Sequence, residues 1–172
     1  MIRLKNDDQI AAIRKSCHEL ADLFNEIIPR VKPGVSTKEI DDWCVDFIRK
    51  HGGKPAWHSE GFPGAACISI NEQVIHGVPS KKVFVEDGDL VSLDIGINLN
   101  GYISDSTHTV MVGNVAKEHQ KLVRVTRECL AAGIQACVRG NRISDISNAV
   151  YDIAYKQNGY GVVYEYCGHG VG

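Results

Sequence analysis

Two aspartates, Asp94 and Asp105, flank Asn100-Gly101 in strand-like text, and their spacing about that dipeptide predicts carboxylates converging on one site. Asn-Gly between apolar-rich runs is the strongest short-range hairpin signal, because both residues tolerate positive φ. A two-residue turn there sets Leu99 against Tyr102, Ile97 against Ser104, Gly96 against Asp105 and Asp94 against Thr107. Directly opposed residues share a sheet face, as do residues two apart on one strand. Asp94 and Asp105 therefore become same-face diagonal neighbours about 7–8 Å apart, and a one-residue slip would split them. Asp94 lies in Leu90-Val91-Ser92-Leu93-Asp94-Ile95, apolar on both parities. That predicts a strand covered on both faces, where a carboxylate needs a partner, and a cation is the most direct one. Gly96, opposite Asp105, leaves space above the sheet for something to approach closely.

His169 stands between Gly168 and Gly170 directly after a predicted strand, so little steric cover keeps a ligand from its ring. With the two aspartates it makes a mixed oxygen and nitrogen set suited to Mn, Fe, Co or Zn. His76 closes an apolar run before Gly77-Val78-Pro79 and belongs at the rim of a sheet. His18, His51 and His119 fall on helices or helix ends, and His108 has the parity opposite to Asp105.

The elements that must position these groups come in a repeated order. Ile10, Ile13, Cys17, Leu20, Phe24 and Ile27 recur at steps of three and four, predicting an amphipathic helix from about Asp7 to Ile28. Ser36-Thr37-Lys38-Glu39 has the form of a capping box and opens a second helix, which His51-Gly52-Gly53 stops. Cys67–Ile70 and Gln73–His76 read as short strands about Asn71-Glu72. Val83–Val85 and the turn Glu86-Asp87-Gly88-Asp89 then lead into the aspartate hairpin. After Gly113 the pattern restarts, with helices expected from about Lys117 to Val138 and from about Ser144 to Gln157, then a strand from Gly161 to Cys167. An offset of 106 places Gly34 on Gly140, Ile40 on Ile146, Asp46 on Asp152, Lys50 on Lys156 and Gly53 on Gly159. We read a duplicated ααβ unit, with the first copy over about 7–113 and a partial second over about 117–172.

The 172 residues suffice for one domain with a sizeable core. A net charge of −2 with scattered Lys and Arg leaves no electrostatic footprint for nucleic acid or an acidic membrane. The first residues lack a signal-peptide core and no apolar run is long enough to span a bilayer, so a cytoplasmic location is expected. Six cysteines without zinc-site pairing read as buried reduced thiols.

Three stretches together, CISINEQVIHGVPS at Cys67–Ser80, VSLDIGINLNGYISDSTHTVMVG at Val91–Gly113 and EYCGHGVG at Glu165–Gly172, resemble type I methionine aminopeptidases, as does KPGVSTKEID at Lys32–Asp41. The resemblance covers essentially the whole chain. It implies an α+β "pita-bread" fold, a duplicated ααβ unit about a central antiparallel sheet with the second unit incomplete. It also implies two divalent metal ions (Co, Mn, Fe or Zn) and removal of initiator methionine from nascent polypeptide N-termini by attack of a metal-bridged hydroxide. Asp94, Asp105 and His169 match metal ligands, and His76 matches the substrate-side catalytic histidine. Phe62 and Cys67 match positions lining the methionine pocket. The family's usual Tyr-His before Gly-aromatic-Pro is Ser59-Glu60 here, which alters one wall of that pocket. Its two glutamate ligands lie beyond the position of Gly172, so three of five ligands fall within these residues and the 172 residues alone are expected to be inactive. Two other readings remain: a non-catalytic pita-bread module whose unfinished sheet pairs with a second copy in a homodimer, and an Xaa-Pro peptidase relative, to which the HGVP and CGHG contexts are less similar.

Overall fold

The computed structural model describes residues 4–171, which form two compact units. The first comprises the residues up to Val115 together with Gly170 and Val171, and the second comprises Ala116–His169.

In the first unit, helix α1 (Asp7–Ile27) opens on a reciprocal cap. Asn6 Oδ1 accepts from the Gln9 backbone N–H at 2.9 Å, and Gln9 Oε1 accepts from Asn6 N–H at 3.0 Å. Helix α2 (Thr37–Lys50) repeats the device with Ser36 and Glu39, as its capping-box text predicts. The Ser36 backbone N–H and hydroxyl hold the Glu39 carboxyl below its usual range. The buried face of α1 differs from the expected stripe. Ser16, Leu20, Leu23, Phe24 and Ile27 are buried, whereas Cys17 and Ile10 are exposed. The reason is polar: Ser16 Oγ donates to Ile97 O at 3.1 Å and lies 3.0 Å from Ser104 Oγ, which rotates the helix to put a hydroxyl against the hairpin.

The sheet has β1 (Lys54–Pro55) and β2 (Ala66–Ile70) along one edge of β3 (Leu90–Leu99), and β4 (Tyr102–Met111) along the other, all antiparallel. Asn100 and Gly101 both take positive φ at the hairpin turn. The β3–β4 register runs from Leu99↔Tyr102 to Leu90↔Met111 and includes Gly96↔Asp105 and Asp94↔Thr107, as expected. Val91, Leu93, Ile95, Ile97 and Leu99 share one face with Ala66 and Ile68, and all are buried in one core with Leu20, Leu23, Phe24, Ile27, Ile40, Cys44, Phe47 and Ile48 of the two helices. Each of the Val, Leu, Ile and Phe side chains contributes about 1.5–3 kcal/mol on burial. Burial pushes the Cys44 thiol strongly up, so it stays protonated and inert. Of the six cysteines, only Cys44, Cys67 and Cys129 are buried; Cys17, Cys137 and Cys167 are exposed, and all six are free.

Two expected strands are absent. Gln73–His76 forms no ladder: Asn71 and His76 take positive φ, and the segment is held to β2 by Gln73 N–H to Ile70 O at 3.1 Å and, just beyond it, by Ile68 N–H to Gly77 O at 2.8 Å. Val83–Val85 joins no sheet: it runs along Gly34–Thr37 at the entry to α2, through Val85 N–H to Val35 O at 2.8 Å, Gly34 N–H to Val85 O at 2.9 Å and Thr37 N–H to Val83 O at 2.9 Å, with an isolated bridge between Ser36 and Phe84.

Asp41 is a buried anchor. Its Oδ1 accepts from the backbone N–H groups of Ala65 at 2.7 Å and Ala66 at 3.1 Å, fixing the entry to β2. Asp41→Ala strands two buried donors, each costing about 1–3 kcal/mol. A fall of about 2–5 kcal/mol in urea-unfolding stability is expected, whereas the neighbouring exposed Asp42→Ala stays within about 0.5 kcal/mol of the parent.

In the second unit, helix α3 (Lys117–Ala136) packs on α4 (Ile143–Tyr151), with Gly133 facing Ile146 and Val150. The repeat is visible in detail. Asp145 Oδ2 accepts from Arg142 N–H at 2.6 Å, the counterpart of Glu39 and Ser36 at the offset of 106, and Gly34 and Gly140 are both left-handed. At the far end Gly52 and Gly159 take the left-handed turn, an offset one residue longer. The second copy closes in a π-helical turn, Asp152–Gln157, and that wider turn absorbs the extra residue. The strand expected over Gly161–Cys167 is not formed; a strand needs a hydrogen-bonded neighbour, which local text cannot supply. Among the described residues no helix is long and apolar enough to cross a membrane.

Candidate metal centre and substrate face

The face of the sheet turned away from α1 and α2 is polar. By register it carries Cys67, Ser69, Ser92, Asp94, Gly96, Asn98, Asp105, Thr107 and Thr109. Asp94 and Asp105 stand on it together, both half-buried. The expectation of full cover on both sides is corrected accordingly: one side is core and the other is partly open. Cys67 pairs directly with Asp94, so a buried thiol neighbours the carboxylate. Ser92 Oγ and Thr109 Oγ1, 3.0 Å apart, tie β3 to β4 one pair further along.

His76 is exposed and, rather than ending a strand, sits on a loop with φ of 61°. Its position is set by Gly77, whose N–H donates to Ser69 Oγ at 3.3 Å while its carbonyl accepts from Ile68. A Cβ at Gly77 would lie 1.9 Å from Ile68 O, so only glycine allows this approach. A strained backbone beside a polar sheet face is the kind of conformation that functional residues keep.

A 3₁₀ turn, Ala56–Glu60, covers part of the same face. Gly96 was expected to leave room for a close approach, and the approaching group is the protein itself. A Cβ there would lie 2.8 Å from Trp57 Cζ2 and 2.9 Å from Ala56 Cβ. Ser59 Oγ donates to Ala56 O at 2.7 Å, turning its short side chain back on its own turn. Phe62 follows, half-buried, its N–H bonded to Trp57 O at 3.1 Å. Sequence reading missed Trp57, whose only signal was the glycine it packs on, and missed Ser69 and Asp41, which act through the tertiary hydrogen bonds described above.

The donor chemistry fits a divalent ion: two carboxylates on one face, partly shielded from water, are hard oxygen ligands for Mn, Co, Fe or Zn. Among the described residues no three His, Cys, Asp or Glu side chains gather closely enough to hold an ion by themselves. The first unit thus brings together the aspartate pair, with Cys67 beside it and Phe62 and His76 on the adjoining segments; His169 belongs to the second unit, in a stretch without regular structure.

The sequence matches metallopeptidase family M24 across residues 11–172. The chain belongs to that family. Within M24 it falls among the methionine aminopeptidases: it is 63% identical to the methionine aminopeptidase of Treponema pallidum (strain Nichols) over all 172 residues, spanning 67% of that relative. The crystal structure of methionine aminopeptidase from Rickettsia prowazekii superposes with a TM-score of 0.94 at 35% identity, over 99% of this chain and 68% of that one. The M24 fold is therefore the expected pita-bread architecture. Xaa-Pro peptidases of the same fold are more distant, as with the Xaa-Pro dipeptidase from Bacillus anthracis, at a TM-score of 0.79 and 25% identity over 46% of its length.

Proposed function

We propose that this M24 chain supplies the metal-binding and substrate-binding face of an aminopeptidase that removes N-terminal methionine from nascent polypeptides in the cytoplasm. The observation that carries the reading is the β3–β4 register, which sets Asp94 and Asp105 on one face beside Cys67. Asp94 and Asp105 hold the metal through their carboxylates, and His169 adds a nitrogen ligand, as its match to the family motif implies. When bound, the divalent ions activate water near neutral pH and polarise the peptide carbonyl.

The remaining work belongs to the chain. His76, exposed on its strained loop, hydrogen-bonds the substrate at the scissile amide. Phe62 and Cys67 offer apolar contact to an unbranched thioether, to which a soft sulfur and an aromatic ring are well matched. Ser59, folded back on Ala56, leaves that side of the pocket less filled than a tyrosine would.

Methionine release from a Met-Ala-Ser peptide with added Mn or Co tests the proposal, measured on this chain joined to the part of the Treponema pallidum relative that it does not span, because the 172 residues alone are expected to be inactive. Turnover that falls by at least about a hundredfold in Asp94→Ala and in His76→Ala is the expected result. Turnover unaffected by either change, or release of Xaa from Xaa-Pro peptides in preference to methionine, would overturn it.

A further inference from the structure

The indole N–H of Trp57 is buried and meets no acceptor among the described residues. Buried tryptophans ordinarily find a partner for this donor, and leaving it unmade costs about as much as breaking a hydrogen bond. Its surroundings indicate what the donor is for. Trp57 Cζ2 and Cη2 lie 2.8 Å and 3.0 Å from where a Cβ on Gly96 would stand, so the benzo edge of the ring lies on the polar face of the sheet. Gly96 is the direct cross-strand partner of Asp105 and is two residues from Asp94. Nε1 and Cζ2 are bonded to the same ring carbon, and directly opposed residues keep their Cβ positions about 4.5–5.5 Å apart. The indole thus stands over the residue directly paired with Asp105. Gly96 makes the arrangement possible, since any side chain there would displace the ring.

We propose that Trp57 is a positioning residue for the metal centre, donating its indole N–H to the Asp105 carboxylate once that carboxylate is engaged by a divalent ion. The inference rests on the aspartate pair being the metal site. Carboxylates that ligate metals are themselves hydrogen-bonded, and those outer bonds fix the ligand's orientation. A buried donor without an acceptor among the described residues, placed over the strand paired with the one that carries the ligand, suits that role. Trp57 touches no substrate in this account and acts through Asp105.

The sequence contains two tryptophans, and Trp43 is covered by the Arg30 guanidinium at 3.9 Å, so the two indole N–H resonances of a ¹⁵N-labelled sample are separable. Trp57→Phe, which keeps an aromatic body over Gly96, assigns them. On titration of the full chain with Zn²⁺, the Trp57 indole proton is expected to move downfield while that of Trp43 stays in place. Trp57→Phe is expected to weaken Zn²⁺ binding about 10–100-fold by calorimetry. Zn²⁺ binding to the parent with an unmoved Trp57 resonance, or equal affinity in a folded Trp57→Phe, overturns the positioning role and leaves the metal site standing. No Zn²⁺ binding to the parent overturns both. Should Trp57→Phe fail to fold, the resonance shift in the parent, with assignment by Trp43→Phe, decides alone.

Discussion

Gly77→Ala is expected to unseat His76 and to cost both stability and activity. The added Cβ would meet Ile68 O at 1.9 Å, Ile68 C at 2.4 Å and Ser69 Cα at 2.9 Å. All three are backbone atoms of a strand buried against the core, so the loop must yield. Lifting it off breaks the 2.8 Å bond from Ile68 N–H to Gly77 O and the 3.3 Å bond from Gly77 N–H to Ser69 Oγ. Two such bonds unmade at a buried edge cost about 2–4 kcal/mol, read as a lower urea midpoint. Methionine release should fall at least about a hundredfold, the scale of losing a positioned catalytic group. His76→Gly separates the two effects. It removes the imidazole but relieves the positive φ of 61°, so stability is unchanged or rises by about 1 kcal/mol while turnover still falls. If Gly77→Ala is as stable and active as the parent, the close approach of this loop to β2 is wrong.

The second large effect tests which face the carboxylates share. In the double variant Asp105→Ser with Ser106→Asp, composition and net charge are unchanged, but the carboxylate moves to the position opposite Ile95, on the other side of the sheet. Ser106 is exposed, so an aspartate there is tolerated and folding stability should change by no more than about 1 kcal/mol. Binding of Mn²⁺ should weaken more than about a hundredfold, beyond the loss caused by removing an outer hydrogen-bonding partner. Undiminished binding would mean that the ion is held elsewhere.

The hairpin was legible in the sequence because its instructions are local. Asn100 and Gly101 supply the positive φ that a two-residue turn needs, and the period of two then fixes every pairing out to Leu90 and Met111. The Ser36–Glu39 capping box was legible for the same reason. What could not be read was set by partners distant in sequence. Ser16 rather than Cys17 faces inward because of Ile97 O, 81 residues away. Gln73–His76 has strand-forming residues, but contact with β2 at Gly77 turns it into a loop. Gly96 signalled a close approach, yet nothing near it in sequence names Trp57. The repeat offset slipped by one residue because a π turn leaves no mark in apolar spacing.

The account depends most directly on where a divalent ion sits. Line broadening by substoichiometric Mn²⁺ in amide spectra of the full chain maps that position, since the effect falls off steeply with distance. The account predicts that the first resonances to vanish are those of Asp94, Gly96, Asp105 and Thr107, together with the Trp57 indole N–H. Broadening centred on other acidic segments, such as Asp7-Asp8 or Glu86–Asp89, with the hairpin signals left sharp, would contradict it.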